Sequence, residues 1–138
     1  MPEASGLILV HSSVWIDYYR PRGATELKRR LQQELGRGTI ATIGLIAVEV
    51  LQGAPNPKIL ETLQEDFLGL HWLEMPQSLW LEAARVGGRL RRVGVSIPAT
   101  DVVIAATALH YGCRLWHRDE DFTRVSRHLS LPVLVVPA

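Results

Sequence analysis

Five short strand-length runs alternate with helix-length stretches along this chain, and that alternation narrows its fold more than any other feature. Leu7 to Val10 is a continuous apolar run, which reads as a buried strand. Ser12 and Ser13 follow as caps for a helix through about Tyr19, and Pro21 and Gly23 break it. Strong helix formers fill Ala24 to Leu35, with Gly36 as the stop. Thr39 to Ile43 reads as a second strand. Leu45 to Gln52 is an apolar helix stopped by Gly53 and Pro55. Asn56 to Leu68 is amphipathic, with Ile59, Leu60, Leu63, Phe67 and Leu68 on one side. Trp72 to Met75 is the third strand. Pro76 to Arg92 is a long helix weakened by Gly87 and Gly88, and Thr100 to His110 is a helix ended by Gly112. Arg114 to Trp116, a helix over Phe122 to Leu129, and Val133 to Val136 complete the pattern. Strands separated by helices specify a parallel sheet covered on both faces. The expected architecture is an α/β/α three-layer sandwich with a small, mostly parallel central sheet, as a single domain over residues 1–138.

Composition removes several classes of function. Hydrophobic residues make up 47% and charged residues 21%, which excludes a disordered chain. The net charge is +1, from 15 Lys plus Arg against 14 Asp plus Glu, so nucleic acid must be held by local patches rather than by bulk charge. A lone cysteine, Cys113, forbids an intrachain disulfide and points to a reducing compartment; beside an apolar strand it is expected to be inert. Met1 to Leu7 carries Glu3 and no basic segment, unlike a secretory leader. The longest apolar stretch, Ala41 to Leu51, is too short to span a bilayer and contains Glu49. A soluble, cytoplasmic protein is the expectation. Neither a GxxxxGK loop nor a GxGxxG turn after a strand is present.

Open α/β sheets place their sites at the carboxyl ends of strands. Two polar clusters fall there: His11-Ser12-Ser13, and His117-Arg118-Asp119. Four carboxylates sit where charge is out of place. Glu49 interrupts an apolar helix, Asp101 opens another, and Asp119 and Asp121 follow a buried strand. Each admits a plain structural role. Asp101 suits the positive end of its helix with Thr100 as cap, Asp119 suits the cap of the last helix, and Glu49 suits an arginine partner. Together, carboxylates converging at strand ends are how a protein holds Mg2+ or Mn2+. Such an ion beside a phosphodiester activates water and stabilises the departing oxygen.

Four blocks, Ile8 to Asp17, Glu49 to Gly53, Asp101 to Ala108 and Leu115 to Phe122, resemble VapC-type PIN-domain ribonuclease toxins of type II toxin–antitoxin systems, in that family's order and spacing. The resemblance implies a PIN fold and cleavage of RNA, usually structured or transfer RNA, with Mg2+ or alternatively Mn2+ as cofactor. It also implies a cognate antitoxin and a homodimer assembled with it. By position, Glu49, Asp101 and Asp119 match the catalytic metal-site acids, Asp121 a frequent further acid, and Ser13 a small hydroxyl residue at the first turn. The departure is His11, where the family has an aspartate that is often its chief metal ligand. His117 stands where Thr or Asn is common.

Mg2+ wants oxygen donors, and imidazole suits softer ions. Three readings of His11 are open: an inactive variant, natural or engineered, that persists as a binding module for antitoxin or RNA; a weakened enzyme holding metal on the other acids; or a softer metal bound through His11, with His117 as a second nitrogen. Among the basic residues, Arg118 is the candidate RNA contact beside the site. Arg85, Arg89, Arg91 and Arg92, and Lys28, Arg29 and Arg30, form further local clusters. Trp15, Tyr18 and Tyr19 share one short helix and are the candidate antitoxin-binding face.

Overall fold

A computed structural model describes residues 6–138; most of the Met1 to Leu7 segment therefore lies outside the described residues. The elements run β1 (Ile8–Val10), α1 (Ser12–Tyr19), α2 (Thr25–Arg37), β2 (Ile40–Thr42), α3 (Gly44–Leu51), α4 (Pro57–Leu68), β3 (His71–Trp72), α5 (Gln77–Arg92), α6 (Ala99–Tyr111), β4 (Arg114–Trp116), α7 (Glu120–Ser126) and β5 (Val133–Leu134). The strands form one five-stranded sheet in the order β3-β2-β1-β4-β5, and every neighbouring pair is parallel. Right-handed crossovers then put α1–α4 on one face and α5–α7 on the other. Helix contacts agree: α1 packs on α2 and α3, whereas α6 packs on α5 and α7. The expected three-layer α/β/α sandwich is what the chain forms.

This topology fixes the place of the site. The chain leaves β1 toward β2 and later returns to lay β4 on the other flank of β1, so the strand order reverses between β1 and β4. The His11 N–H donates to the Trp116 carbonyl at 2.9 Å, joining the carboxyl ends of these two strands. Such a reversal opens a crevice beyond the strand ends. Beneath it Ile8, Leu9, Val10, Leu115, Trp116 and Phe122 are wholly buried.

Several local expectations are corrected. Ser12 and Ser13 lie inside α1 rather than capping it; His11 is the cap, its imidazole accepting from the Ser13 N–H. Gly36 lies inside α2, which runs on to Gly38, whose positive φ of 70° lets its N–H reach the Glu34 and Leu35 carbonyls. Thr100 does not cap α6: Pro98 precedes that helix without a side-chain bond, and Asp101 lies in its first turn. The third strand is His71–Trp72, shorter and earlier than expected, because it pairs only with Ala41 and Thr42 of β2. The last helix starts at Glu120, ahead of Phe122, because Asp119 caps it. Gly87 does more than weaken α5. A Cβ there would stand 3.2 Å from Val102 Cγ1, so its bareness lets α5 and α6 close on each other. No helix among the described residues is long and apolar enough to cross a membrane.

Candidate metal centre

Three elements deliver one polar cluster into the crevice. His11 follows β1, Asp101 lies in the first turn of α6, and Asp119 stands between β4 and α7. One ligand atom from each lies within 4.8 Å of the others, and no other such group occurs among the described residues. His11 and Asp101 are 4% and 6% exposed and Asp119 is half-buried, so the cluster sits in the crevice with its Asp119 side nearest solvent.

The hydrogen bonds around His11 assign its protons. Nδ1 accepts the Ser13 N–H at 3.1 Å and lies 2.8 Å from Ser13 Oγ. A proton on Nδ1 would point into that N–H, so the ring carries its proton on Nε2. Nε2 faces Asp101 Oδ1 at 3.3 Å and donates to it. A buried carboxylate is costly without such a partner, and a hydrogen bond to a charged group contributes roughly 1.5–3 kcal/mol. His11 therefore does two jobs: it caps α1 and it holds the Asp101 carboxylate.

Asp119 is also doubly engaged. Its Oδ1 accepts the Asp121 N–H at 2.9 Å and caps α7, which bears out its plain structural role, and a carboxylate oxygen of the same residue belongs to the cluster. The Asp121 carboxylate faces Arg124 at 2.8 Å, outside the cluster. Glu49, on α3, is also outside it. Its expected arginine partner is absent among the described residues, and Oε1 is buried with no hydrogen-bond partner. His117 is likewise not one of the three donors. Its Nδ1 accepts the Asp119 N–H at 3.2 Å. Burial, then the neighbouring His11, lowers its pKa below the usual histidine value. Phe122 packs against both imidazoles, with ring centroids 4.8 Å from His11 and 5.2 Å from His117.

Arg118 does not stand free over the site. Its Nε pairs with Asp17 Oδ2 at 3.2 Å and its backbone N–H donates to Ser13 Oγ at 2.9 Å. Asp17, which also holds Arg20 at 3.0 Å, is a site-organising residue that sequence reasoning missed. Its signal was helical spacing, since Asp17 lies one turn after Ser13 on α1. Beside Asp119 a groove of about 440 Å3, with Arg118, Thr123 and Val135 among its walls, follows the β5 edge.

The aromatic face of α1 needs correction. Trp15 is fully buried, stacked on Tyr19 at 5.9 Å and tilted against Phe67 at 4.8 Å, so it packs the core and offers nothing to a partner. Tyr18 and Tyr19 remain half-buried, and the Tyr19 hydroxyl donates to Asp66 Oδ2 at 2.8 Å. Burial and Asp66 push the Tyr19 pKa well above the usual phenol range. Burial likewise raises the Cys113 thiol, in keeping with an inert side chain.

Comparison with known proteins gives a consistent picture. A PIN domain profile matches residues 8–128. Ribonuclease VapC11 of Mycobacterium tuberculosis strain H37Rv is 35% identical over 130 residues, covering 91% of this chain and 96% of the relative. The fold of a DNA-bound VapBC from Salmonella typhimurium superposes with a TM-score of 0.77 at 14% identity, covering 93% of this chain and 96% of that one. Mycobacterium tuberculosis VapC20, described as a Sarcin-Ricin loop cleaving toxin, superposes with a TM-score of 0.69 at 15% identity, covering 85% and 93%.

Proposed function

The chain belongs to the PIN domain family, in its VapC ribonuclease branch, and from that premise we propose that it is a toxin-family endoribonuclease scaffold whose Mg2+ centre is disabled by His11. PIN-domain ribonucleases are generally dependent on a divalent metal, and His11, Asp101 and Asp119 are the residues here that can hold one. Mg2+ takes oxygen ligands in a near-ideal octahedron and dehydrates reluctantly. At this centre the first of the three donors is a nitrogen that already carries a proton and turns it toward Asp101. The residues present do not fit Mg2+.

The observation that carries the reading is the pair of bonds on the His11 ring. Ser13 occupies one nitrogen and Asp101 the other, so the centre is closed by its own side chains. Asp101 and Asp119 are then the surviving metal-site acids. Glu49, with a buried and unpartnered oxygen, is an outer acid of the same centre, and Asp121 acts through Arg124 and the α7 cap. Structured or transfer RNA is the substrate class of the scaffold. The groove beside Asp119 is the path for the strand, and Arg118 meets phosphate there once it leaves Asp17. A cognate antitoxin is the protein partner, bound as a homodimer and contacted by Tyr18 and Tyr19. The place of action is the cytoplasm.

The experiment is a nuclease assay on cellular RNA with Mg2+ and with Mn2+, comparing the chain with its His11→Asp variant. Cleavage by the variant and little or none by the unaltered chain in Mg2+ is the expected result. Equal Mg2+-dependent cleavage by both refutes the reading.

A further inference from the structure

We infer that the three donors form a site for a borderline divalent ion, Zn2+ above all, held by His11 Nε2, Asp101 and Asp119. This deepens the reading of the cluster as a PIN centre and rests on it. Three protein ligands of nitrogen and oxygen with a fourth position open to solvent is the coordination of catalytic zinc sites. One pair has the spacing already: two ligands about 2.0–2.1 Å from a tetrahedral ion stand about 3.3–3.4 Å apart, and His11 Nε2 lies 3.3 Å from Asp101 Oδ1; the three donors as a set lie within 4.8 Å, so Asp119 closes in on binding. The same two ligands on an octahedral ion at about 2.0–2.1 Å stand only about 2.9 Å apart.

The ring is already aimed and needs only to move its proton. In the hydrogen-bonded state the proton is on Nε2. On binding, Zn2+ takes the Nε2 lone pair, a proton leaves that nitrogen and one is taken up on Nδ1. The ring stays neutral and no net proton is released. The Nδ1–H then donates to Ser13 Oγ, 2.8 Å away. That hydroxyl has a lone pair for it beside the one occupied by the Arg118 N–H. A ligating histidine whose other N–H is held by an oxygen is the usual outer-shell arrangement of metal sites. The Ser13 N–H loses its cap acceptor in exchange. Charge favours the exchange, because the buried Asp101 and the half-buried Asp119 face an ion of charge +2 beside a neutral ring.

Almost any site of this kind prefers Zn2+ to Mg2+ in absolute affinity. The test therefore reads the ring itself and compares variants. Long-range proton–nitrogen spectra of the 15N-labelled full chain are recorded while Zn2+ is added. His11 should change from the Nε2–H to the Nδ1–H form at one equivalent of metal. Calorimetry with Zn2+ and with Mg2+ is then run on the chain, on His11→Asn and on His11→Asp. Asn keeps an oxygen for the Ser13 N–H but lacks Nε2, and should lose at least about tenfold in Zn2+ affinity. His11→Asp should raise Mg2+ affinity and lower the ratio of Zn2+ to Mg2+ affinity. Zn2+ that shifts only His71, His110 or His128, or that leaves His11 in its Nε2–H form at saturation, overturns the inference. Should His11→Asn fail to fold, the ring spectra of the unaltered chain still decide. Recovery of Mg2+ cleavage by His11→Asp without a His11 response to Zn2+ sinks this inference and leaves the proposed function standing; a His11 response with no recovered cleavage does the reverse.

Discussion

Replacing His11 by aspartate should make the metal-free protein less stable and make its stability depend on Mg2+. The three donor atoms lie within 4.8 Å of one another. Two unit charges at that spacing repel by about 3.5 kcal/mol at an effective dielectric of 20. His11→Asp brings one new negative charge against two existing ones, and it removes the hydrogen bond from Nε2 to Asp101. Proton uptake and relaxation relieve much of this, leaving a net loss on the order of 2–3 kcal/mol at neutral pH. The cap of α1 survives, because an aspartate oxygen accepts the Ser13 N–H as Nδ1 does. For a chain of this length about 1 kcal/mol moves Tm by roughly 3–4 °C. The variant should therefore melt roughly 6–12 °C lower in chelator. Mg2+ at a hundred times its Kd restores about 2.7 kcal/mol by mass action. The unaltered chain, whose centre does not fit Mg2+, should melt at the same temperature in both buffers. The assay is a set of four melting curves: both proteins, with chelator and with millimolar Mg2+. A variant as stable as its parent in chelator and indifferent to Mg2+ would refute the argument, since position 11 would then share no field with Asp101 and Asp119.

Other outcomes follow from the same contacts. Trp15→Ala should cost about 3–5 kcal/mol in denaturant unfolding, as removal of a fully buried aromatic does; a loss under 1 kcal/mol would mean that Trp15 faces solvent. Tyr18→Ala should leave the fold intact yet weaken a co-expressed antitoxin by about 1 kcal/mol or more in a binding titration, and unchanged affinity removes Tyr18 from that face. Burial opposes ionisation of Glu34, but bonds from Thr39 and Arg30 and the charge of Arg37 outweigh it and lower its pKa. Its stabilisation is thus complete above the ordinary carboxylate pKa and is lost as pH falls through the lowered one. Glu34→Gln should flatten that part of the acid limb in stability measured against pH, and an unchanged slope would contradict the assignment.

The fold was legible because its signals are local. Apolar runs such as Leu7 to Val10 and breakers such as Gly112 act within a few residues, and the alternation of strand and helix restricts topology by handedness alone. What failed was also local, but competitive. Ser13 is a good cap residue, yet His11 took the position because the chain turns one residue after Val10, at the carboxyl end of the central strand. Trp15 looked like a docking side chain because α1 has aromatic residues on more than one face. Only the packing of α4 through Phe67 shows which of them is core. The site was legible as a set of residue types at strand ends. Its pairings were not, because His11 and Asp101 are 90 positions apart and Arg118 and Asp17 are 101 apart, and no periodicity reports such distances.

The identity of residue 11 follows from what its neighbours require. Two groups around position 11 need a partner: the Ser13 N–H, which needs an acceptor, and the buried Asp101 carboxylate, which needs a donor or a cation. Alanine would satisfy neither. Lysine or arginine would serve Asp101 but give Ser13 no acceptor. Histidine offers a lone pair on Nδ1 and a proton on Nε2 in one rigid ring, at distances of 3.1 Å and 3.3 Å from the two groups. Its edge also packs against Phe122, an aromatic contact that a carboxylate would not make. Histidine at this position thus adds no negative charge beside Asp101 and Asp119, caps α1 and supplies a hydrogen-bond partner to Asp101.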